Sequence, residues 1–211
     1  MQRRGRFLSI EGIDGSGKTT TINRLAEAIE ADGYDLLILR EPGGTAVGER
    51  VRSILLDEAH AGMDGLCELF LFAAARAELT AKVIRPKLDA GSVVICDRFI
   101  DSTVAYQGYG RGVDREQIQR INEVATGGLK PDRTFLLDLD PVVASKRLAG
   151  RTDQAQDRLD QEDMSFRRSV REGYLALADS EPERIERLDA NRSTDEVVSE
   201  ILKVLREDWE V

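Results

Sequence analysis

Histidine, tryptophan and cysteine are almost missing from this chain, which has one His, one Trp and two Cys in 211 residues. With no second histidine, His60 in DEAHAGMDG is a poor metal ligand or triad base, and its surroundings read as an exposed loop. Cys67 and Cys96 are too few for a disulfide framework or a zinc cluster. Each lies in an apolar stretch and is expected to be a small core residue. No apolar run approaches the roughly 20 residues of a membrane helix, and the opening residues MQRRGRF lack the apolar segment of a signal peptide. A cytoplasmic protein with no membrane partner is expected. Excess positive charge is missing as well: 30 Lys and Arg against 39 Asp and Glu leave a net charge of -9. That argues against nucleic-acid binding, because affinity for a phosphate backbone comes from surplus Lys and Arg. An anionic ligand would need a locally positive site, so arginine clusters carry information.

What is present is globular: 41% hydrophobic and 33% charged residues, without repeats, low-complexity tracts or a linker. One α/β domain spanning residues 1–211 is expected. Its organising stretch is RFLSIEGIDGSGKTTTINRL, in which Gly12 is followed after four residues by Gly17-Lys18-Thr19. This is the G-x-x-x-x-G-K-[ST] phosphate loop. The apolar residues Phe7, Leu8 and Ile10 before it read as a buried strand. Ile22, Leu25, Ala26 and Ile29 after it have helical spacing, ended by Gly33. The backbone of Gly12, Ile13, Asp14, Gly15, Ser16 and Gly17 can turn its N–H groups onto phosphate oxygens, helped by the positive end of the helix. Lys18 supplies a point charge for the outer phosphates, and the Thr19 hydroxyl is a ligand for Mg²⁺. A chance match in a glycine-containing turn is the bland alternative, and the strand and helix around the motif weigh against it.

Further strands are expected at 35–39, 92–97, 135–139 and 184–188, and helical patterns at 46–57, 65–89, 99–107, 114–126, 141–148, 165–177 and 194–207. Strands alternating with helices imply a five-stranded parallel sheet covered on both faces. Ligands of such sheets gather beyond the carboxyl ends of the strands. The glycine loop, 40–45, Asp97-Arg98 and 138–140 should therefore share one rim.

Asp97 ends an apolar strand, as a carboxylate that helps hold Mg²⁺ would, although a helix cap is the ordinary alternative. Arg98 beside it reads either as a structural ion pair or as a forked donor to phosphate. Arg147, Arg151 and Arg158 bracket an almost wholly polar segment. It reads as a solvated loop, or as a lid over 147–163 that excludes water and brings positive charge to a migrating phosphoryl group. Phe72 and Arg76, one helical turn apart, are core and surface respectively, or present a ring and a fork to a base.

The phosphate loop GIDGSGKTT, then REPGGT at 40–45, LFAAARAE at 71–78, DRFIDSTVAYQG at 97–108 and DRLDQED at 157–163 follow the order found in the thymidylate kinase family. The resemblance spans nearly the whole chain, and REPGGT with DRF…S…AYQG is its narrow part. It implies a P-loop nucleoside-monophosphate-kinase-like three-layer fold and transfer of the γ-phosphoryl of ATP to dTMP with Mg²⁺, in a homodimer. It further implies that Gly12–Thr19 hold ATP, with Lys18, Arg98, Arg147, Arg151 and Arg158 in catalysis and Thr19 and Asp97 at the metal. On the acceptor side it places Asp14 near the sugar and phosphate, and Arg52 and Arg98 on that phosphate. Phe72 would stack on thymine, Arg76 would bond its edge, and Thr103, Tyr106 and Gln107 would line the nucleoside pocket. The chain departs from the family at Phe99, where Tyr is common, and at Asp160, which replaces the Glu of DRxE. The alternatives are another P-loop nucleotide or deoxynucleoside kinase, or a nucleotide-controlled switch protein. The switch is disfavoured because no N-K-x-D string follows the loop.

Overall fold

A computed structural model describes residues 5–150, 158, 159 and 161–209. Five strands form one sheet in the order β2-β3-β1-β4-β5, and all pairs are parallel. They are β1 (Arg6–Glu11), β2 (Leu36–Arg40), β3 (Val93–Asp97), β4 (Arg133–Asp138) and β5 (Ile185–Asp189). Alternate residues of the central strands serve different cores, as the two-residue period of a strand requires. Leu8, Ile10 and Ile95 pack with Ile22, Leu25 and Ile29 of α1 (Lys18–Ala31) and with Val197, Ile201 and Leu205 of α9 (Thr194–Trp209). Phe7, Val94 and Cys96 pack with Leu79 and Ile84 on the other side. Burial of both sheet faces explains why these strands read as continuous apolar runs.

The remaining helices are α2 (Ala46–Leu56), α3 (Gly65–Leu79), α4 (Arg85–Asp89), α5 (Ile100–Thr103), α6 (Arg115–Thr126), α7 (Pro141–Ala149) and α8 (Met164–Ser180). The expected helix over 65–89 is continuous in direction but loosens into a wide π stretch at Thr80–Ile84. A second wide stretch, Val104–Gly110, follows α5 and carries Tyr106 and Gln107. Such insertions recur at functional sites, because the extra residue re-aims the side chains around it.

Two core expectations need correction. Cys67 is exposed, whereas Cys96 is buried. The reason is that α3 is apolar on more than its buried side: Leu66 and Phe70 are also exposed. The polar segment also contributes a buried residue, Arg158. His60 is exposed in a short 3₁₀ turn, Glu58–His60, after α2.

Register puts the strand ends together. Ile10 and Arg40 both lie opposite Asp97, so the glycine loop, the segment after β2 and Arg98 meet on one rim.

Candidate active site

That rim opens into a cleft of about 590 Å³, lined by Asp14, Gly15, Gly17, Lys18 and Thr19 at one end and by Phe72, Arg76, Thr103 and Gln107 at the other. Arg40, Glu41, Pro42, Arg52, Asp97, Arg98 and Tyr106 also line it, as do Leu148 and Leu159. Of the segments expected to share the rim, 138–140 contributes no lining residue. Asp138 instead holds Arg171 at 2.7 Å and Arg187 at 2.7 Å.

The glycine loop takes its shape from positions that a side chain would disrupt. Gly12 has φ 138°, and a Cβ there would fall 2.6 Å from the Leu137 carbonyl oxygen; at Gly15, with φ 85°, it would fall 2.6 Å from that of Ala144. Gly17, the residue before α1, offers no side-chain cap to the first-turn N–H groups. They remain as a local positive pole in an otherwise acidic molecule. Lys18 is buried, and its Nζ donates to the carbonyls of Gly12 (3.0 Å) and Ile13 (3.3 Å). Burial, then the nearby Arg98, lowers the pKa of this ammonium.

Arg98 occupies the left-handed region, with φ 72°, the only described non-glycine residue with positive φ. For an arginine this conformation is uncommon and must be held by its surroundings. Its Nη2 donates to Asp14 Oδ1 (2.6 Å) and Tyr106 Oη (3.1 Å), and its Nη1 to Tyr174 Oη (3.0 Å) and Ser102 Oγ (3.2 Å). Beneath this cage lies Glu11, fully buried, which accepts from Ser9, the Phe99 N–H, Ser102 and Tyr174 at 2.6–3.0 Å. Burial, with Asp101 nearby, raises the Glu11 pKa. Burial also acts to raise that of Asp14, but Arg98 and Lys18 outweigh it and hold Asp14 well below the usual carboxylate range. A fixed anion thus sits between two fixed cations on the cleft wall.

Arg76 overturns the surface alternative: it is 1% exposed. Its Nε donates to Glu41 Oε2 (2.8 Å), its Nη1 to Thr103 Oγ1 (2.8 Å) and Asn122 Oδ1 (2.7 Å), and its Nη2 to the Phe99 carbonyl (3.1 Å). All three nitrogens therefore have protein partners. Glu41 Oε1 is buried with no hydrogen-bond partner among the described residues, and burial pushes this carboxyl up to about 7 against the pull of Arg76. Phe99, at the position where the family often has Tyr, is buried with its ring 4.9 Å edge-on to Phe7. Arg52 Nη1 donates to the Pro42 carbonyl at 3.1 Å.

The described arginines of the expected lid lie outside the cleft wall. Arg147 is exposed, with Nη2 donating to the Ala190 carbonyl at 3.0 Å. Arg158 is buried, with Nη2 on Glu68 Oε2 (2.5 Å), Nε on the Leu55 carbonyl (2.9 Å) and its backbone N–H on Leu56 O (3.2 Å). Removing one member of a buried pair costs about 3–5 kcal/mol, against about 0–1 kcal/mol for an exposed pair. In this arrangement the Arg158 charge is spent on Glu68 rather than aimed at the cleft, because the buried carboxylate demands a counter-charge. Arg151 and Asp160 lie outside the described residues.

Asp97 Oδ1 is buried without a hydrogen-bond partner among the described residues, and Thr19 is exposed on the cleft wall. An unpaired carboxylate oxygen and a hydroxyl beside a phosphate cradle are hard oxygen donors that fit Mg²⁺. Sequence reasoning missed Glu11, Glu41, Glu68, Arg111 and Tyr174. Glu11 and Glu68 carry a signal as acidic residues inside an apolar strand and helix, a placement that demands buried donors, and Glu41 carries one as part of REPGGT.

A sequence model described as thymidylate kinase matches residues 10–201. A thymidylate kinase of Exiguobacterium sibiricum is 46% identical over 199 residues, covering 94% of this chain and 93% of the relative. That of Desulfovibrio desulfuricans is 49% identical over 198 residues, with 91% of each covered. The crystal structure of thymidylate kinase from Ehrlichia chaffeensis superposes with a TM-score of 0.77 at 37% identity, covering 95% of this chain and 98% of that one.

Proposed function

This chain belongs to the thymidylate kinase family, and from that premise we propose that it transfers the γ-phosphoryl of ATP directly to dTMP, with Mg²⁺, inside the cleft between Lys18 and Phe72. The observation that carries the reading is the Lys18–Asp14–Arg98 arrangement on the cleft wall, with Asp14 Oδ1 3.7 Å from Lys18 and 2.6 Å from Arg98. Phosphoryl transfer needs little covalent chemistry from the protein, so positioning and fixed positive charge suffice. The amides of Gly12–Thr19 receive the donor phosphates. Lys18 exchanges its carbonyl partners for phosphate oxygens. Arg98 and Arg52 grip the acceptor phosphate, and Asp14 keeps Arg98 aligned. Thr19 and Asp97 would hold the metal, which when bound neutralises charge on the donor's outer phosphates.

Phe72 is half-buried on the acceptor wall and offers a ring face to the base, with Arg76, Thr103, Tyr106 and Gln107 around it. Phe72→Ala is expected to raise KM for dTMP by about 10-fold, the worth of one base–aromatic stack, and to leave KM for ATP nearly unchanged. Steady-state kinetics with each substrate varied in turn checks this. We read residues 1–211 as one kinase domain in the cytoplasm, with 147–163 as its lid. Closure of that lid would have to reckon with the Arg158–Glu68 pair.

We also read the chain as a homodimer. Val47 and Ile54 of α2, Leu66 and Phe70 of α3 and Val124 of α6 are large, exposed and apolar, and Phe70 is 55% exposed. A second copy would cover this face, and a charge placed on it would be buried without a partner. Phe70→Asp is expected to sediment as a monomer where the parent sediments as a dimer.

The function itself is tested by a panel of acceptors with ATP. Formation of dTDP from dTMP supports the reading, while preference for thymidine over dTMP would make this a nucleoside kinase instead.

A further inference from the structure

Glu68 is wholly buried in the apolar stretch LCELFLFAAA of α3, and three side chains converge on its carboxylate. Gln107 Nε2 donates to Oε1 at 2.7 Å and Arg158 Nη2 to Oε2 at 2.5 Å. Arg111 donates through Nε and Nη2, each at 3.3 Å, and its guanidinium lies 4.5 Å over the Phe166 ring. Two cations thus reinforce the carboxylate as an acceptor. An amide, by contrast, has a donating and an accepting side. Glu68 therefore decides which way Gln107 is turned: its NH₂ meets the carboxylate, and its oxygen points elsewhere.

Gln107 lines the same end of the cleft as Phe72, Arg76 and Thr103. Arg76 carries donors only, and the Thr103 hydroxyl already accepts from Arg76 Nη1. That hydroxyl keeps a second lone pair and its own proton, so it can meet a base atom in either sense; the Gln107 oxygen accepts only and so can tell a base N–H from a base acceptor.

We propose that Glu68 is a positioning residue for base selectivity: by holding the Gln107 amide nitrogen, it presents the amide oxygen to the acceptor base. The cleft then takes pyrimidine monophosphates whose ring N3 carries a hydrogen, as in thymine and uracil. It rejects those whose N3 is itself an acceptor, as in cytosine, because two acceptors would face each other. The inference rests on the acceptor placement proposed above.

The test compares kcat/KM for dTMP, dUMP and dCMP in the full-length chain and in Glu68→Gln, whose neutral amide can accept or donate and so frees Gln107 to flip. Failure of the parent protein to phosphorylate dTMP would remove the functional reading itself, whatever Glu68 does. Given an active parent, Glu68→Gln should lower the dTMP-to-dCMP ratio by about 10- to 100-fold, the penalty attached to one unpaired buried polar group. The dTMP-to-dUMP ratio should hold within about 3-fold, because the two bases offer the same N3–H. Glu68→Asp, which keeps a carboxylate, should restore most of the discrimination. Equal losses on all three acceptors mean that Glu68 only packs the helix, and would overturn the proposal. If Glu68→Gln does not fold, Gln107→Met decides. It should lower the dTMP-to-dCMP ratio by a similar factor, and an unchanged ratio refutes the idea.

Discussion

Lys18→Ala is expected to lower kcat by about 10³-fold, the scale of losing one preorganised charge donor at a transferring group. Lys18 is buried, yet its partners are two loop carbonyls and Asp14 rather than a packed apolar neighbour. Its removal also relieves repulsion from Arg98, which contributes to lowering its pKa. The fold should therefore survive. An unchanged circular dichroism spectrum, with a melting temperature within a few degrees of the parent's, would separate lost chemistry from lost structure. Near-normal turnover in the folded variant would remove Lys18 from the mechanism.

Arg98→Ala is expected to lower kcat/KM for dTMP by about 10³-fold, by analogy with other arginines that stabilise phosphoryl transfer. KM for ATP should move less, because Arg98 touches the donor loop only at Asp14, while Lys18 and the glycine backbone have contacts of their own. The four side-chain oxygens around the guanidinium belong to Asp14, Ser102, Tyr106 and Tyr174, on four separate turns of chain. Such a cage spends its bonds on aiming one fork. Arg98→Lys should recover only a small part of the loss, since an ammonium cannot reproduce the planar bidentate geometry. Full recovery with Lys would mean that charge alone matters at this position. The measurement is steady-state kinetics with dTMP and ATP varied separately.

These residues differ in how far the sequence announces them. The phosphate loop is legible because its chemistry is local: glycines at 12, 15 and 17, a lysine and a hydroxyl must be consecutive, and a strand and a helix must flank them. The five strands and their parallel arrangement are legible because burial on both faces leaves continuous apolar runs. Asp97 and Arg98 are legible as strand-end residues, but the left-handed backbone of Arg98 is not, because nothing in DRF requires it. The cage that holds Arg98 in place comes from the glycine loop, α5, the Val104–Gly110 stretch and α8, which only the fold assembles.

The polar segment shows the reverse case. Spaced arginines among Asp and Gln suggest a solvated loop or a lid, yet Arg158 is buried against Glu68, a residue 90 positions away. Pairing of that kind leaves no periodic trace, and a buried carboxylate on α3 is the only local hint of it. Cys67 departs from its expected core position for a related reason. Helical periodicity identifies apolar residues but not which side of α3 meets the core, and the helix carries apolar residues on both. The wide turns at Thr80–Ile84 and Val104–Gly110 are likewise invisible to a 3.6-residue pattern, since a single added residue per turn shifts side chains without changing the composition.

Stereochemistry at phosphorus tests most directly whether the phosphoryl group passes in line, in a single step, between two bound nucleotides. ATP made chiral at the γ-phosphorus with oxygen isotopes and incubated with dTMP should yield dTDP with inverted configuration. Retention of configuration, or label found only in inorganic phosphate, would contradict direct transfer across the Lys18–Arg98 junction.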